Sequence, residues 1–191
     1  YEITVEANSD TVLYDGQSHS VGGFKTLEFT VGSNKYTVSG LSAGATGTDA
    51  GEYAANITGT AVVTDAYGND VTSEFTVKTV NGKLTVSKRN VTLTSATANK
   101  EYDGNALTDD TVTVSGDGFA DGEGASYNVT GSQRAVGNSE NTFTYPLNEG
   151  TNKDNYNITQ TLGTLTVTSS NASYEITVEA NSDTVLYDGQ S

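Results

Sequence analysis

The residues of this chain that could act as acids, bases or nucleophiles are few. His19 is the only histidine and there is no cysteine, so the chain offers neither a zinc thiolate site nor a cysteine nucleophile. A serine hydrolase needs a histidine beside its nucleophile, and the run Tyr-Asp-Gly-Gln-Ser-His that contains His19 is typical of a turn or surface segment. Carboxylate pairs that cleave glycosides need a concave site larger than a small β-module usually offers. The sequence therefore predicts no enzymatic activity.

Acidic clusters raise the question of a bound cation. Calcium needs about six to eight oxygens that converge on one point. The run GDGFADGEG at 116–124 alternates carboxylates with glycines as a calcium loop can do, but no D-x-[DN]-x-[DN]-G loop is present. We expect solvated turns and no cofactor, with calcium kept as the alternative. Its candidate ligands are Asp117, Asp121, Glu123, Asp65 and Asp70.

A Tyr-Asp-Gly triplet occurs twice, and it has two interpretations. The copies are Tyr14-Asp15-Gly16 and Tyr102-Asp103-Gly104. A tyrosine and an aspartate could stack on a sugar and hydrogen-bond to it. In a structural role, the tyrosine packs inward, the aspartate accepts backbone N–H bonds in an Asx turn, and the glycine takes a positive φ. Because the triplet recurs at the same relative place in each half of the chain, we favour the structural role.

The elements that position these residues repeat along the chain. Residues 1–18 recur letter for letter as residues 174–191. Chance does not produce such an identity, so we expect an interior piece of a longer array of near-identical units. Within one unit, each Tyr-Asp-Gly is followed by a Gly-x-Leu-Thr-Val segment, at 82–86 and at 163–167. The predicted organisation is a first module at 1–88, a second at 89–170, and a linker with the first strand of the next repeat at 171–191.

Hydrophobic residues alternate with polar ones almost throughout, as in half-buried strands. The stretch from Tyr53 to Val63 shows the longest alternation, and Asn81-Gly82 predicts a type I′ hairpin turn between two flanking strands. No segment has the spacing of an amphipathic helix. The prediction is an all-β protein of two small, elongated modules in tandem, each sandwich-like or an open barrel.

The composition narrows the partners. The net charge is −15, from 9 basic and 24 acidic residues, which argues against nucleic acid and anionic membranes as partners. No run of 18 apolar residues exists, so membrane insertion is not predicted. Small secreted animal domains usually carry disulfides. The lack of cysteine therefore favours the surface of a bacterium over an animal secretion.

The order of several motifs resembles a known family. The segments YDGQSH at 14–19, GTDAGEY at 47–53, NGKLTVSKR at 81–89 and KEYDGNALT at 100–108 are similar to the MBG/YDG-type repeat domains of large bacterial surface proteins. The resemblance covers essentially the whole chain. It implies a non-catalytic repeat of an extracellular adhesin that is attached to the cell wall through other parts of the protein. Cysteine-free stalk domains sometimes crosslink a lysine to an asparagine, and the candidates here are Lys100 with Asn155 or Asn157.

The predicted function is that of a stalk or spacer that holds a distant binding domain away from the cell, with neighbouring repeats as its partners. The alternative is a module that binds a host glycan or surface protein weakly and gains avidity from repetition. Tyrosine rings on the surface would favour glycan binding, whereas a spacer buries most of its eleven tyrosines.

The 18-residue tail at 174–191 has an apolar face at Ile176, Val178 and Ala180. We expect it either to complete the sheet of the second module or to add as an edge strand to a neighbouring molecule. A tail without any strand pairing would instead be a passive linker.

Overall fold

The computed structural model describes residues 1–170 and 176–189. These residues form eighteen strands and two short 3-10 turns, which confirms the all-β class. The strands lie in seven small sheets of two or three strands. None of these sheets closes on itself.

Ten strands and one 3-10 turn lie between residues 2 and 87. The strands are β1 Glu2–Glu6, β2 Asp10–Leu13, β3 His19–Gly22, β4 Glu28–Val31, β5 Asn34–Ser42, β6 Gly44–Gly47, β7 Gly51–Ala55, β8 Thr58–Asp65, β9 Thr76–Val80 and β10 Gly82–Ser87, and the 3-10 turn is Thr72–Glu74. Their pairings are β1 with β9, β4 with β5 with β8, β2 with β10 with β7, and β3 with β6.

Eight strands and one 3-10 turn lie between residues 89 and 168. The strands are β11 Arg89–Ser95, β12 Ala98–Glu101, β13 Val112–Gly116, β14 Asn128–Val129, β15 Gly137–Glu140, β16 Phe143–Thr144, β17 Tyr156–Thr161 and β18 Thr164–Thr168, and the 3-10 turn is Lys153–Asn155. Strand β11 lies between β13 and β17, strand β18 lies between β12 and β15, and β14 pairs with β16.

Parallel pairing of the first and last segments organises both modules. Strands β1 and β2 run parallel to β9 and β10, and β11 and β12 run parallel to β17 and β18. Because both segments advance in the same direction, each module has an entry end, where its first strand begins, and an exit end, where its second strand finishes. Tyr14 and Tyr102 follow the second strands and therefore mark the two exit ends.

The predicted hairpin at Asn81-Gly82 is wrong. Strands β9 and β10 do not pair with each other; the chain passes from one sheet to another between them. Gly82 does not have a positive φ. Its role is to let the carbonyl of Asn8 approach closely, since a Cβ atom there would collide with that oxygen. Gly163 has the same relation to the carbonyl of Ala96, which explains why both Leu-Thr-Val segments begin near a glycine.

The long alternation from Tyr53 to Val63 is likewise divided between two sheets. Strand β7 pairs with β10, whereas β8 pairs with β5. The apolar core follows this division. One cluster at the entry end of the first module contains Ile3, Val5, Val38 and Val63. A second cluster includes buried residues of both modules, among them Leu84 and Leu93.

The described part of the tail, residues 176–189, contains no strand. Its apolar residues are exposed, for example Ile176 at 83% and Leu186 at 94%. The prediction that the tail completes the sheet of the second module is therefore wrong for these residues. In this single chain they make no strand pairing with either module. Residues 171–175 and 190–191 of the predicted linker and next strand lie outside the described residues.

Candidate functional site: the joint between the modules

The two Tyr-Asp-Gly triplets fold into the same turn. The Oδ1 atoms of Asp15 and Asp103 each accept the backbone N–H two residues ahead, at 2.9 Å. Gly16 and Gly104 have φ angles of 80° and 82°, a conformation that favours glycine. Each aspartate also bonds a nearby basic side chain: His19 Nε2 at 2.7 Å from Asp15 and Lys100 Nζ at 2.9 Å from Asp103. These side-chain bonds are the main reason that the pKa of each aspartate is lowered.

The tyrosines of the two triplets differ in environment. Tyr14 is 5% exposed, whereas Tyr102 is 45% exposed. The turns are alike, so the difference comes from what covers each ring. Tyr14 is covered by the second module, at a contact that we call the joint and define by Tyr14, Arg89, Glu123, Asn155 and Tyr156.

One carboxylate at the centre of the joint accepts hydroxyl groups from both modules. Tyr14 Oη donates to Glu123 Oε2 at 2.7 Å, and Tyr156 Oη donates to Glu123 Oε1 at 3.0 Å. Tyr156 Oη also accepts the backbone N–H of Ala120 at 3.1 Å. A carboxylate that accepts two hydroxyls forms stronger hydrogen bonds than a neutral acceptor would.

The ionisation of these tyrosines is suppressed. Burial, the hydrogen bond to Glu123 and the charge of that carboxylate raise the pKa of Tyr14 above its ordinary value. Burial is also the main cause of the raised pKa of Tyr156. Both phenols therefore remain protonated hydrogen-bond donors across the physiological range.

Arg89 joins the two modules through backbone carbonyls. Its Nη1 donates to Tyr14 O at 3.0 Å, in the first module. Its Nε and Nη2 donate to Gly118 O at 2.8 Å and Asp117 O at 2.6 Å, in the second. The planar guanidinium group presents donors in fixed directions, so it sets the relative position of the three carbonyls.

Asn155 makes a second polar link beside the first. It is 2% exposed. Its Oδ1 accepts the backbone N–H of Ala50 at 2.8 Å, and its Nδ2 donates to Asp49 Oδ1 at 3.2 Å. Asp49 and Ala50 lie in the connection between β6 and β7 of the first module. Buried amides of this kind stabilise a contact only where their hydrogen bonds are made.

Aromatic packing fills the joint between these polar links. The rings of Tyr14 and Tyr156 meet edge to face with centroids 5.8 Å apart, and Phe119 packs on Tyr156 at 5.2 Å. Tyr14, Ala120, Phe143 and Tyr156 belong to the core cluster that spans both modules. Such edge-to-face pairs contribute about 0.5–1.5 kcal/mol beyond the area they bury. The joint thus has an apolar centre as well as its polar links.

Four of the five candidate calcium ligands bond to neighbouring protein groups. Glu123 lies in the joint, and Asp117 Oδ2 accepts the backbone N–H of Asn90 at 2.8 Å. Asp65 Oδ1 accepts two backbone N–H groups within its own turn, and Asp70 Oδ1 accepts the N–H and hydroxyl of Thr72. Asp121 is exposed. Within residues 1–170 and 176–189, no three metal-ligating side chains converge.

The structure separates the candidate crosslinking residues. Lys100 lies at the exit end of the second module, where it bonds Asp103. Asn155 lies in the joint at the opposite end, and Asn157 Nδ2 donates to Asn90 Oδ1 at 3.1 Å. Neither asparagine is placed to react with this lysine. This arrangement gives no support to a lysine–asparagine crosslink between these residues.

A surface concavity lies at the entry end of the first module. It has a volume of about 450 Å³ and is lined by Asn34, Lys35, Tyr36, Asp65 and Tyr67 among others. Tyr67 is 90% exposed. Of the ten tyrosines that the structure describes, four are exposed and six are buried or half-buried.

Sequence reasoning missed most of the joint. Glu123 was singled out as a calcium ligand, whereas it accepts hydrogen bonds from two tyrosines. Arg89 is only the first residue of the predicted second module, with no role assigned to it, and Asn155 is predicted as a candidate for a crosslink. The signal in the sequence is Arg89, one of two arginines in the chain, which lies just before the alternating apolar residues Val91 and Leu93.

Comparison with known proteins identified no relatives. No protein-family model matches the chain, and searches of curated proteins and of solved structures found no significant match. In the part of the chain that the structure describes, no helix has the length and apolar character needed to cross a membrane.

Proposed function

We propose that this chain is a non-catalytic stalk repeat of a bacterial cell-surface adhesin, in which it acts as a spacer between the cell and a distal binding domain. The joint is the observation that carries the proposal. A spacer must transmit position from one module to the next, and here the two modules share an apolar cluster and hydrogen bonds from Arg89, Glu123 and Asn155. Independent binding modules on a flexible string would not need such a contact.

The placement of the ends supports the same proposal. The joint connects the exit end of the first module, marked by Tyr14, with the entry end of the second, marked by Arg89 and Tyr156. The modules therefore follow each other along one direction. The repetition of residues 1–18 at 174–191 supports continuation of that series.

The cell-surface location is proposed on the resemblance to MBG/YDG-type domains and on the composition. The charge of −15 and the absence of cysteine suit a long, exposed chain outside a bacterial cell. The proposed partners are neighbouring repeats, and the proposal requires no cofactor and no nucleic acid.

The stalk proposal is tested by the relative orientation of the modules in solution. We expect residual dipolar couplings from both modules to fit a single alignment tensor, and we expect the double variant R89A/E123A to require two. Small-angle scattering should give a radius of gyration well above the roughly 16 Å of a compact globule of this length. Separate tensors in the unmodified protein would contradict the proposal. An antibody against the repeat that fails to label intact cells of the source bacterium would contradict the location.

Glycan binding is the second candidate, and one observation favours it. The exposed ring of Tyr67 lies beside the polar side chains of Asn34, Lys35 and Asp65, which is the combination of stacking surface and hydrogen-bonding groups that sugars need. Binding to a glycan array that is lost in Tyr67→Ala, and kept in Tyr187→Ala as a matched exposed tyrosine, would favour this function. Equal signals from both variants would argue against it.

A further inference from the structure

We propose that the exit end of the second module docks on the entry end of a further copy of the first module, with Tyr102 packing against Phe75 of that copy. The proposal rests on the end-to-end arrangement proposed above. It specifies which surfaces meet, and with which partner, at the boundary that follows the second module. It is argued from the equivalence of each of these residues to one that is already buried in the joint.

Tyr102 is the structural equivalent of Tyr14. Each follows the second strand of its module, and its backbone N–H donates to the last strand, to Ser87 O for Tyr14 and to Thr168 O for Tyr102, both at 2.8 Å. The turns that follow are the same, as described above. Only the exposure differs, at 5% for Tyr14 and 45% for Tyr102. Tyr102 therefore exposes to solvent part of a ring whose equivalent, the ring of Tyr14, is buried in the joint.

Phe75 is the structural equivalent of Tyr156. Each ends the 3-10 turn of its module, and its backbone N–H donates to the residue three positions back. Each stands at the start of the strand that runs parallel to the first strand. Tyr156 is 4% exposed in the joint, whereas Phe75 at the free entry end is only half-buried.

The entry end of the first module offers an aromatic surface. The ring of Phe75 lies 4.9 Å from Tyr36 and 5.6 Å from Tyr1, and Tyr1 is 71% exposed. This cluster takes the place of Tyr156 and Phe119 in the existing joint. Charge also favours contact, because Arg134 lies at the exit end, where its Nη1 donates to Gly104 O, while the exposed Glu74 belongs to the entry end.

The repeated sequence identifies the docking partner as a further copy of the first module. Residues 176–189, which are exposed, repeat residues 3–16, and in the first module those residues form the strands that run from the entry end to the exit end. The tail therefore lacks only the partner strands of a first module. A single residue, Lys88, separates β10 from β11, whereas residues 169–173 separate β18 from the repeated segment. With this longer connection, docking depends on the contact between the two end surfaces.

The test uses the full chain with residues 19–88 appended after Ser191, which completes a second copy of the first module. We expect the rate of nitration of Tyr102 by tetranitromethane, measured by peptide mass spectrometry, to fall several-fold relative to the 191-residue chain. Tyr1, which is 71% exposed at a free end in both proteins and lies in a peptide that occurs once in each, should react equally in both. Equal reactivity of Tyr102 in the two proteins would overturn the proposal.

The variant Tyr102→Ala, studied by residual dipolar couplings, distinguishes docking from a local change in the reactivity of Tyr102. In the extended protein, residual dipolar couplings of the second module and the appended module should fit one tensor, and Tyr102→Ala should split them into two. Tyr14→Ala is the matched control, because it should release only the first joint. If the appended module moves independently while the first two modules stay aligned, docking is wrong and the stalk proposal stands. Independent motion of the first two modules would instead overturn the proposed function.

Discussion

Glu123 lies between two tyrosines that come from different modules, and it is the acceptor for both hydroxyls. Glu123 is thus the one carboxylate that both tyrosines share, beside the separate polar links made by Arg89 and Asn155. An acceptor shared in this way cannot be replaced by water without opening the apolar cluster around it, because Tyr14 and Tyr156 are both buried.

Glu123→Ala should therefore destabilise the protein. The substitution leaves two buried hydroxyls without their acceptor, which costs about 2–4 kcal/mol in the free energy of unfolding. The measurement is urea denaturation followed by tyrosine fluorescence. Asp121→Ala in the same loop is the control, because this side chain is exposed and should change stability by less than about 0.5 kcal/mol. Equal effects of the two variants would show that Glu123 does not hold the joint.

The raised pKa values of Tyr14 and Tyr156 predict a loss of stability at high pH. Both groups bind their protons more tightly in the folded state, so their contribution is complete below the unfolded pKa of about 10 and declines as the pH rises above it. Each tyrosine that ionises only on unfolding lowers stability by up to about 1.4 kcal/mol per pH unit. Urea denaturation between pH 8 and about pH 11 should show a shallower decline for Tyr14→Phe, while Tyr102→Phe should follow the unmodified protein.

At the level of strands, each module is organised by the point where its first and last segments pass together from one sheet to another. In the first module, the chain passes from the β1–β9 sheet to the β2–β10–β7 sheet between residues 6 and 10. It makes the same passage again at Asn81, between β9 and β10. Gly82 lies against the carbonyl of Asn8 at this crossing. In the second module, Gly163 makes the equivalent contact with the carbonyl of Ala96.

Gly82→Ala should be destabilising although alanine is normally tolerated in strands. The added methyl group meets backbone that belongs to the neighbouring segment, and such overpacking costs about 1–3 kcal/mol. Gly22→Ala is the matched control, because its Cβ would have an ordinary contact of 3.5 Å with Ala43 O. Thermal unfolding by circular dichroism compares the two. A Gly82 variant as stable as the Gly22 variant would show that the crossing can relax.

In the whole molecule, the buried apolar residues form two core clusters. The cluster at the entry end of the first module stands alone, whereas the cluster at the joint takes residues from both modules. Because a small domain buries a smaller fraction of its surface than a large one, sharing a core across the joint adds stability that neither module has separately.

We expect calcium to make little difference to this assembly, since four of the five candidate carboxylates bond N–H and O–H groups of the protein. Adding EDTA, or millimolar calcium at matched ionic strength, should shift the melting temperature by less than about 1 °C. Matching the ionic strength controls for screening of the net charge of −15. A larger rise with calcium that Glu123→Gln abolishes would contradict this expectation.

Features that depend on near neighbours in the chain can be predicted from the sequence alone. Alternation of apolar and polar residues predicted strands because successive side chains point to opposite faces. The Asx turns at Asp15 and Asp103 follow from a side chain that reaches a backbone N–H two residues away. The repeated triplets placed Tyr14 and Tyr102 at equivalent positions, and the identity of residues 1–18 with 174–191 required no structure at all.

Strand pairing and the burial of the tyrosines depend instead on contacts between distant parts of the chain. Asn81-Gly82 has the local chemistry of a hairpin, yet β9 pairs in parallel with β1, whose residues lie 74 positions earlier in the chain, and no local pattern specifies such a partner. Tyr14 and Tyr102 lie in equivalent turns, yet their exposures differ. The ring of Tyr14 is buried by residues between 119 and 156 of the second module. Burial depends on what packs against a residue from elsewhere in the chain, so two equal sequences can have unequal environments.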